Sequence, residues 1–326
     1  MSVDFSKIKT YSLYDRSSLS NVKDFAAPFS GDLGALLASI PNIYSGSDFK
    51  AIISHLKAAK AAKRKIIWGI GAHVIKFGLN PLLIQLMENG FITSIAVNGA
   101  SAIHDVEFAL AGKSSEDVGE SLHEGEFGVA KETAEFINKA AKIAADANVG
   151  FGAGLKRLLE ETKPKYAKYS ILCAAARLNI PVTVHVALGT DIVHMHPSMS
   201  GEATGKATYD DFKLFCNEVS EISGGAYINA GSNVLLPEIF LKAIAISQNQ
   251  AVSAGQKNAD TIDEISKFHQ GKKLKDFITV VLDYNYQYRP LRNVVERPTK
   301  GIGKGYYLIG RHELMIPLLA AALLSK

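Results

Sequence analysis

Residues Ile66–Gly112 read IIWGIGAHVIKFGLNPLLIQLMENGFITSIAVNGASAIHDVEFALAG, two consecutive units of apolar strand, small polar loop and amphipathic helix. The first strand runs out into Gly69, Gly71 and His73, the second into Asn98, Gly99 and Ser101. Consecutive βα units build a parallel sheet, and open α/β proteins bind their ligands at its carboxyl edge. Loops of glycine and small residues let backbone amides come close to such a ligand.

The same alternation continues outward. Apolar runs predict strands at Lys65–Gly71, Thr93–Asn98, Pro181–Leu188, Ala226–Ala230 and Phe277–Tyr284, with periodic helical segments between them. Asn80-Pro81 opens a helix over Leu82–Glu88 that Asn89-Gly90 stops, and Thr208, Asp210 and Asp211 occupy the first turn of another over Thr208–Ser220. Ser114–Tyr169 reads as two or three helices without a strand, one of them Ala130–Asn148. The fold class is therefore α/β, an open parallel sheet with helices on both faces. No repeat or linker divides the chain, so residues 1–326 are expected to form one domain, with 1–62 as an N-terminal helical extension.

Composition narrows the function. With 326 residues, 47% of them hydrophobic, the chain can bury a large core. Its 36 basic and 32 acidic residues are dispersed, which gives nucleic acid no basic stripe to bind; the densest run, Leu56–Lys65, has the spacing of a solvated helix face. Cys173 and Cys216 lie in apolar helical patterns and read as buried thiols rather than a disulfide framework. The first residues lack the apolar core of a signal peptide and Met315–Leu324 is too short to span a bilayer, so a cytoplasmic protein without membrane contact is expected.

Polar residues gather at the predicted strand ends. Gly69-Ile70-Gly71 matches the start of a dinucleotide fingerprint, but Val74 stands where its third glycine belongs. Asn98–Asp105 places small residues before a helix, where His104 and Asp105 serve either the helix dipole or a site. His185–Pro197, HVALGTDIVHMHP, holds three imidazoles and Asp191; such a cluster suits a transition metal such as zinc, or an acid–base pair, although neither HExxH nor CxxC accompanies it. Tyr284–Tyr307 reads as a long irregular loop containing Lys300 and Lys304, and a desolvated lysine there would form an imine with a carbonyl compound.

The order of these blocks resembles deoxyhypusine synthase over about three quarters of the chain. WGIGAHVIKFGL at Trp68–Leu79 is similar to the family's first strand and NAD loop, with His73 in place of an asparagine. VNGASAIHD is similar to TTAGGVEED and retains Asp105. NIPVTVHVALGTDIVHM parallels NIPVxxPxxTDGSLGD and retains Pro181, Thr190 and Asp191, while Arg297-Pro298 and Gly303-Lys304 fit the RP and GK elements beside the family's reactive lysine. The resemblance implies a Rossmann-like subunit of a homotetramer that binds NAD and forms an aminobutyl imine on a lysine. Departures are specific: AGSNVLLPE at Ala230–Glu238 replaces GGGxxKHH, AIHD replaces VEED, and IGRH at Ile309–His312 replaces YADA.

The resemblance thus implies NAD-dependent aminoalkyl transfer or oxidation acting on a polyamine or related cationic amine. The expected cofactor residues are Gly69, Gly71, His73, Asn98, Gly99, Ser101, Asp105, Thr190, Gly231 and Ser232. Asp191 would hold the amine, a histidine from His185, His194 or His196 would move protons, and Lys304 or Lys300 would carry the imine. Two other readings stay open: a metal-dependent hydrolase using His185, Asp191, His194 and His196, and a non-catalytic NAD or metabolite sensor.

Overall fold

The computed structural model describes residues 4–22, 40, 43–255 and 273–325, so parts of the expected 1–62 extension lie outside the described residues. Six strands form one parallel sheet: β2 (Ile66–Ile70), β3 (Ser94–Asn98), β5 (Val182–His185), β6 (Ala226–Ala230), β7 (Phe277–Asp283) and β8 (Gly303–Ile309), ordered β5-β3-β2-β6-β7-β8. β2, β6 and β7 are buried at every position, which is why they read as continuous apolar runs. Two short strands, β1 (Ser18–Asn21) and β4 (Lys113–Glu116), pair antiparallel in a separate ribbon.

One face packs under the helices Tyr44–Ala61, Asn80–Glu88, Gly99–Ala111 and His312–Leu324, around Trp68, Ile70, Val97 and Val280. The other packs under Gly201–Ser220 and Leu235–Gly255, around Ile67, Ala96, Tyr227 and Val281. Tyr227 stacks on Phe240 at 3.9 Å, and its ring fills the space over Gly69, where a methyl group would meet the hydroxyl at 2.4 Å. This is the α/β Rossmann-like architecture. From β2 the chain winds outward to β3 and β5; it then returns to β6 and winds the other way. The resulting switch point lies between β2 and β6, and the crevice at their carboxyl ends is the ligand position of such sheets.

Several elements differ from the sequence-based expectation. β4 falls in the stretch expected to lack strands because its KSSE sequence carries no apolar run, and β8 occupies the expected irregular loop because it opens on Gly303-Lys304-Gly305. Ser200 caps a helix that starts at Gly201, which places Asp211 in its buried middle rather than its first turn. There Asp211 Oδ2 accepts from the Val184 and Gly152 amides while Thr208 bonds Val184 and Val186, so one helix satisfies the open edge of β5. Asn80 sits inside its helix and donates from its side chain to Asp105 and the Tyr169 carbonyl.

Candidate functional site

Two glycines meet at the switch point. Gly71 donates its amide to the Ala230 carbonyl at 2.8 Å, and a methyl group on it would lie 2.0 Å from the Gly231 carbonyl oxygen. Gly231 has φ +71°, and the buried His312, bonded through Nε2 to the Leu282 carbonyl at 3.0 Å, lies against it. The crevice floor is therefore bare backbone. At its β7 side Asp283 Oδ1 accepts from the Tyr284 amide, while Oδ2 is buried with no partner. Burial raises the Asp283 carboxyl above its ordinary range, against the backbone hydrogen bond and the charge of His312. His73 stands exposed at the mouth, its pKa lowered by partial burial and by neighbouring Lys76, His312 and His104.

A cleft opens beside this crevice, lined by Arg16, Lys76, His104, Glu107, Glu116, Thr190 and Asp191 among apolar residues such as Ile103 and Phe127. Its back wall is a relay. Arg16 Nη2 meets Glu107 Oε2 at 2.7 Å, Thr133 donates to Oε1 at 2.9 Å, and Ser114 Oγ donates to Oε2 at 2.6 Å. Burial would push the Glu107 carboxyl up, but hydrogen bonding with His104, the charge of Arg16 and the Ser114 hydroxyl outweigh it and hold it at about 2. Glu107 is thus ionised and takes the one Ser114 proton, so Ser114 Oγ must accept from His104 Nδ1, 2.6 Å away. The tautomer of the neutral ring follows: its proton is on Nδ1 and its lone pair on Nε2, the arrangement of a general base held by a carboxylate through a serine.

Asp191 closes the cleft from the opposite side. Its carboxylate lies over Gly99, where a methyl group would fall 1.9 Å from Oδ2, and burial pushes it up to about 6. Arg16 belongs to the N-terminal segment, which Tyr11 fastens to Glu116 by a hydroxyl–carboxylate bond and Leu13 to Glu132 through its amide.

The expected residues divide accordingly. Gly71, His73, Asn98 and Gly231 stand at the strand ends, and Thr190 and Asp191 at the cleft. Gly69 lies inside β2 as a packing position for Tyr227. Asn98 caps the helix Gly99–Ala111 through the Ser101 amide, and buried Ser101 ties β2 to β3 by donating to the Ile70 carbonyl. Asp105 is consumed inside the fold: it accepts from Asn80, Ser170, Ile171 and Leu172, and burial, opposed by those bonds, raises it to about 6. Ser232 is buried, supporting the turn after β6 by accepting from the Leu236 amide.

The histidines disperse. His185 bonds Thr183 and packs edge-on against Phe215, and burial pushes its pKa down to about 3. His194 Nδ1 accepts from the Gly189 and Asp191 amides, leaving Nε2 4.0 Å from Asp191 Oδ2; His196 Nδ1 is engaged by Ser198. Among the described residues no three metal-ligating side chains come together, so the expected zinc centre is not formed. Lys300 and Lys304 lie away from these strand ends. Lys304 pairs with Ile278 at the amino-terminal start of β8, five residues, or about 16 Å, from the carboxyl edge, and exposed Lys300 lies in the turn before it.

No family model and no curated protein matches this chain. Solved structures share its fold. AgrE, unliganded, superposes with a TM-score of 0.52 at 15% identity, covering 85% of this chain and 32% of AgrE; its ternary complex with ornithine and NAD⁺ gives 0.51 at 14%. A protein assigned as LOR/SDH from Methanococcus maripaludis S2 gives 0.50 at 17%, covering 85% and 69%. A protein assigned as a deoxyhypusine synthase from Entamoeba histolytica gives 0.44 at 9%, covering 85% and 87%. The chain spans about a third of AgrE's length. The likenesses to AgrE and to the LOR/SDH protein establish a shared fold. No helix among the described residues is long and apolar enough to cross a membrane.

Proposed function

We propose that the protein is an NAD-dependent enzyme that oxidises a cationic amine in the cleft beside the switch point. The observation that carries this is the His104–Ser114–Glu107 relay, whose imidazole lines a cleft that also holds Asp191. The crevice fits the cofactor. Its bare backbone floor admits a flat group, and the orphaned Asp283 oxygen suits a hydroxyl or amide donor such as a nucleotide ribose or carboxamide provides. AgrE, a structure of the same fold, binds NAD⁺ and ornithine, which supports the choice of cofactor.

When bound, the nicotinamide supplies the hydride acceptor that turns an amine-bearing carbon into an iminium. Asp191 holds the substrate ammonium, and His104 Nε2 takes the proton that frees the amine's lone pair. Glu107 stabilises the resulting imidazolium through Ser114. Oxidation is favoured over aminoalkyl transfer to Lys300 or Lys304, because both lysines sit at the far edge of the same subunit's sheet. Homotetrameric assembly belongs to the same proposal.

The test is NADH formation from NAD⁺ with a panel of diamines, polyamines and diamino acids. Turnover with at least one is expected, and His104→Gln should lower kcat by roughly 10²- to 10⁴-fold while leaving the melting temperature within a few degrees. Absence of both NAD⁺ binding and turnover refutes the proposal. Light scattering tests the tetramer.

A further inference from the structure

We infer that the ligand of the Asp191 cleft carries a carboxylate as well as an amine, with Lys76 as the anchor of the carboxylate: an amino acid with a terminal amine rather than a plain diamine or polyamine. This rests on the proposed amine site and extends it to the substrate class.

Charge balance within the cleft points there. Arg16 is already matched, buried between Glu107 at 2.7 Å and Glu116 at 3.9 Å. Glu107 is filled by Arg16, Ser114 and Thr133, and Glu116 accepts from Tyr11 and the Gly128 amide. Two charged groups lining the same cleft are left over. Lys76, half-buried at the end of the short helix that follows Gly71, makes no hydrogen bond and no ion pair among the described residues. Among the described residues Asp191 meets no lysine or arginine; its one ion-pair contact is His194 Nε2 at 4.0 Å, on a ring that burial keeps below its ordinary pKa.

These two groups do not pair with each other, so both line the cleft across a gap wider than an ion pair. Both carry the mark of a missing counter-charge. Burial lowers the Lys76 pKa, only partly offset by Glu107, and raises that of Asp191 to about 6. A molecule with an ammonium at one end and a carboxylate at the other would supply both counter-charges at once. A diamine would supply only the ammonium and would leave Lys76 without a counter-charge.

The experiment is calorimetric titration of the full chain, in saturating NAD⁺, with matched pairs differing by one carboxylate: L-ornithine against putrescine, and L-lysine against cadaverine. At least one amino acid of a pair is expected to bind roughly tenfold or more tightly than its decarboxylated partner, the effect of one charge-assisted contact. Lys76→Met should abolish that preference and Lys76→Arg should keep most of it, with unchanged melting temperatures showing that both variants fold. Asp191→Asn should weaken both members of a pair alike. Equal binding within both pairs, or a preference that survives Lys76→Met, overturns the inference and leaves the amine site standing. Failure of every probe to bind overturns the amine site and this inference together.

Discussion

Glu107→Gln separates the relay from an ordinary buried ion pair. The side chain is 1% exposed and holds three partners, Arg16, Ser114 and Thr133. A carboxyl brought from 4.5 down to about 2 by His104, Arg16 and Ser114 against the effect of burial contributes about 3 kcal/mol to folding. Because the folded pKa lies below the unfolded one, that contribution is fully present above pH 4.5 and is lost as pH falls toward 2. Glutamine keeps the shape but removes the charge, leaving Arg16 with only the longer contact to Glu116. Urea unfolding followed by circular dichroism should show the variant about 3 kcal/mol less stable near pH 7, with the gap closing to below about 1 kcal/mol near pH 2. A gap that is small near pH 7, or that does not change with pH, refutes both the ionised Glu107 and the tautomer assigned to His104.

Three further outcomes follow from the packing. Asp105→Asn sets an amide nitrogen against two of the four donors that the carboxylate accepts from and should cost roughly 2–4 kcal/mol. Asp211→Asn should cost less than about 1 kcal/mol, since Oδ2 serves two amides while Oδ1 has no partner. Burial raises Asp211 to about 7, so its stabilisation is present below 3.8 and lost as pH rises through 7; thermal melts should show Asp211→Asn gaining on the wild type over that window. Gly71→Ala puts a methyl group 2.0 Å from a backbone oxygen that has no rotamer to move, so its melting temperature should drop sharply or soluble protein be lost. Lys300→Ala and Lys304→Ala should leave NADH formation unchanged, and borohydride trapping should label neither lysine; a loss of activity in either variant would show that the opposite sheet edge takes part.

The fold was legible where burial is two-sided. β2, β3, β6 and β7 are apolar at nearly every position, so their runs announce a parallel sheet, and strand order then puts Gly71 and Gly231 together. β8 was not legible: Gly303-Lys304-Gly305 opens it on exposed positions, and glycine and lysine suggest a loop. The site was legible only in part, for a related reason. His104 reads locally as a first-turn residue; its role depends on Ser114 from β4 and on Glu107 one turn further along its own helix. Arg16 comes from a segment with no motif at all. Conversely, the dense histidine cluster at His185–His196 looked chemical because of its spacing, yet alternate residues on a strand end and a following turn point to different neighbours. Asp105 was the retained acid of a recognisable block, and its work is to hold the start of the helix Ile171–Leu178.

The central claim is that the β2–β6 switch point binds the nicotinamide cofactor, and hydrogen–deuterium exchange with and without NAD⁺ tests it most directly. Saturable binding should slow exchange at the amides after β2, residues 71–74, and after β6, residues 231–234. Absence of saturable binding, or protection confined to other segments, would contradict it.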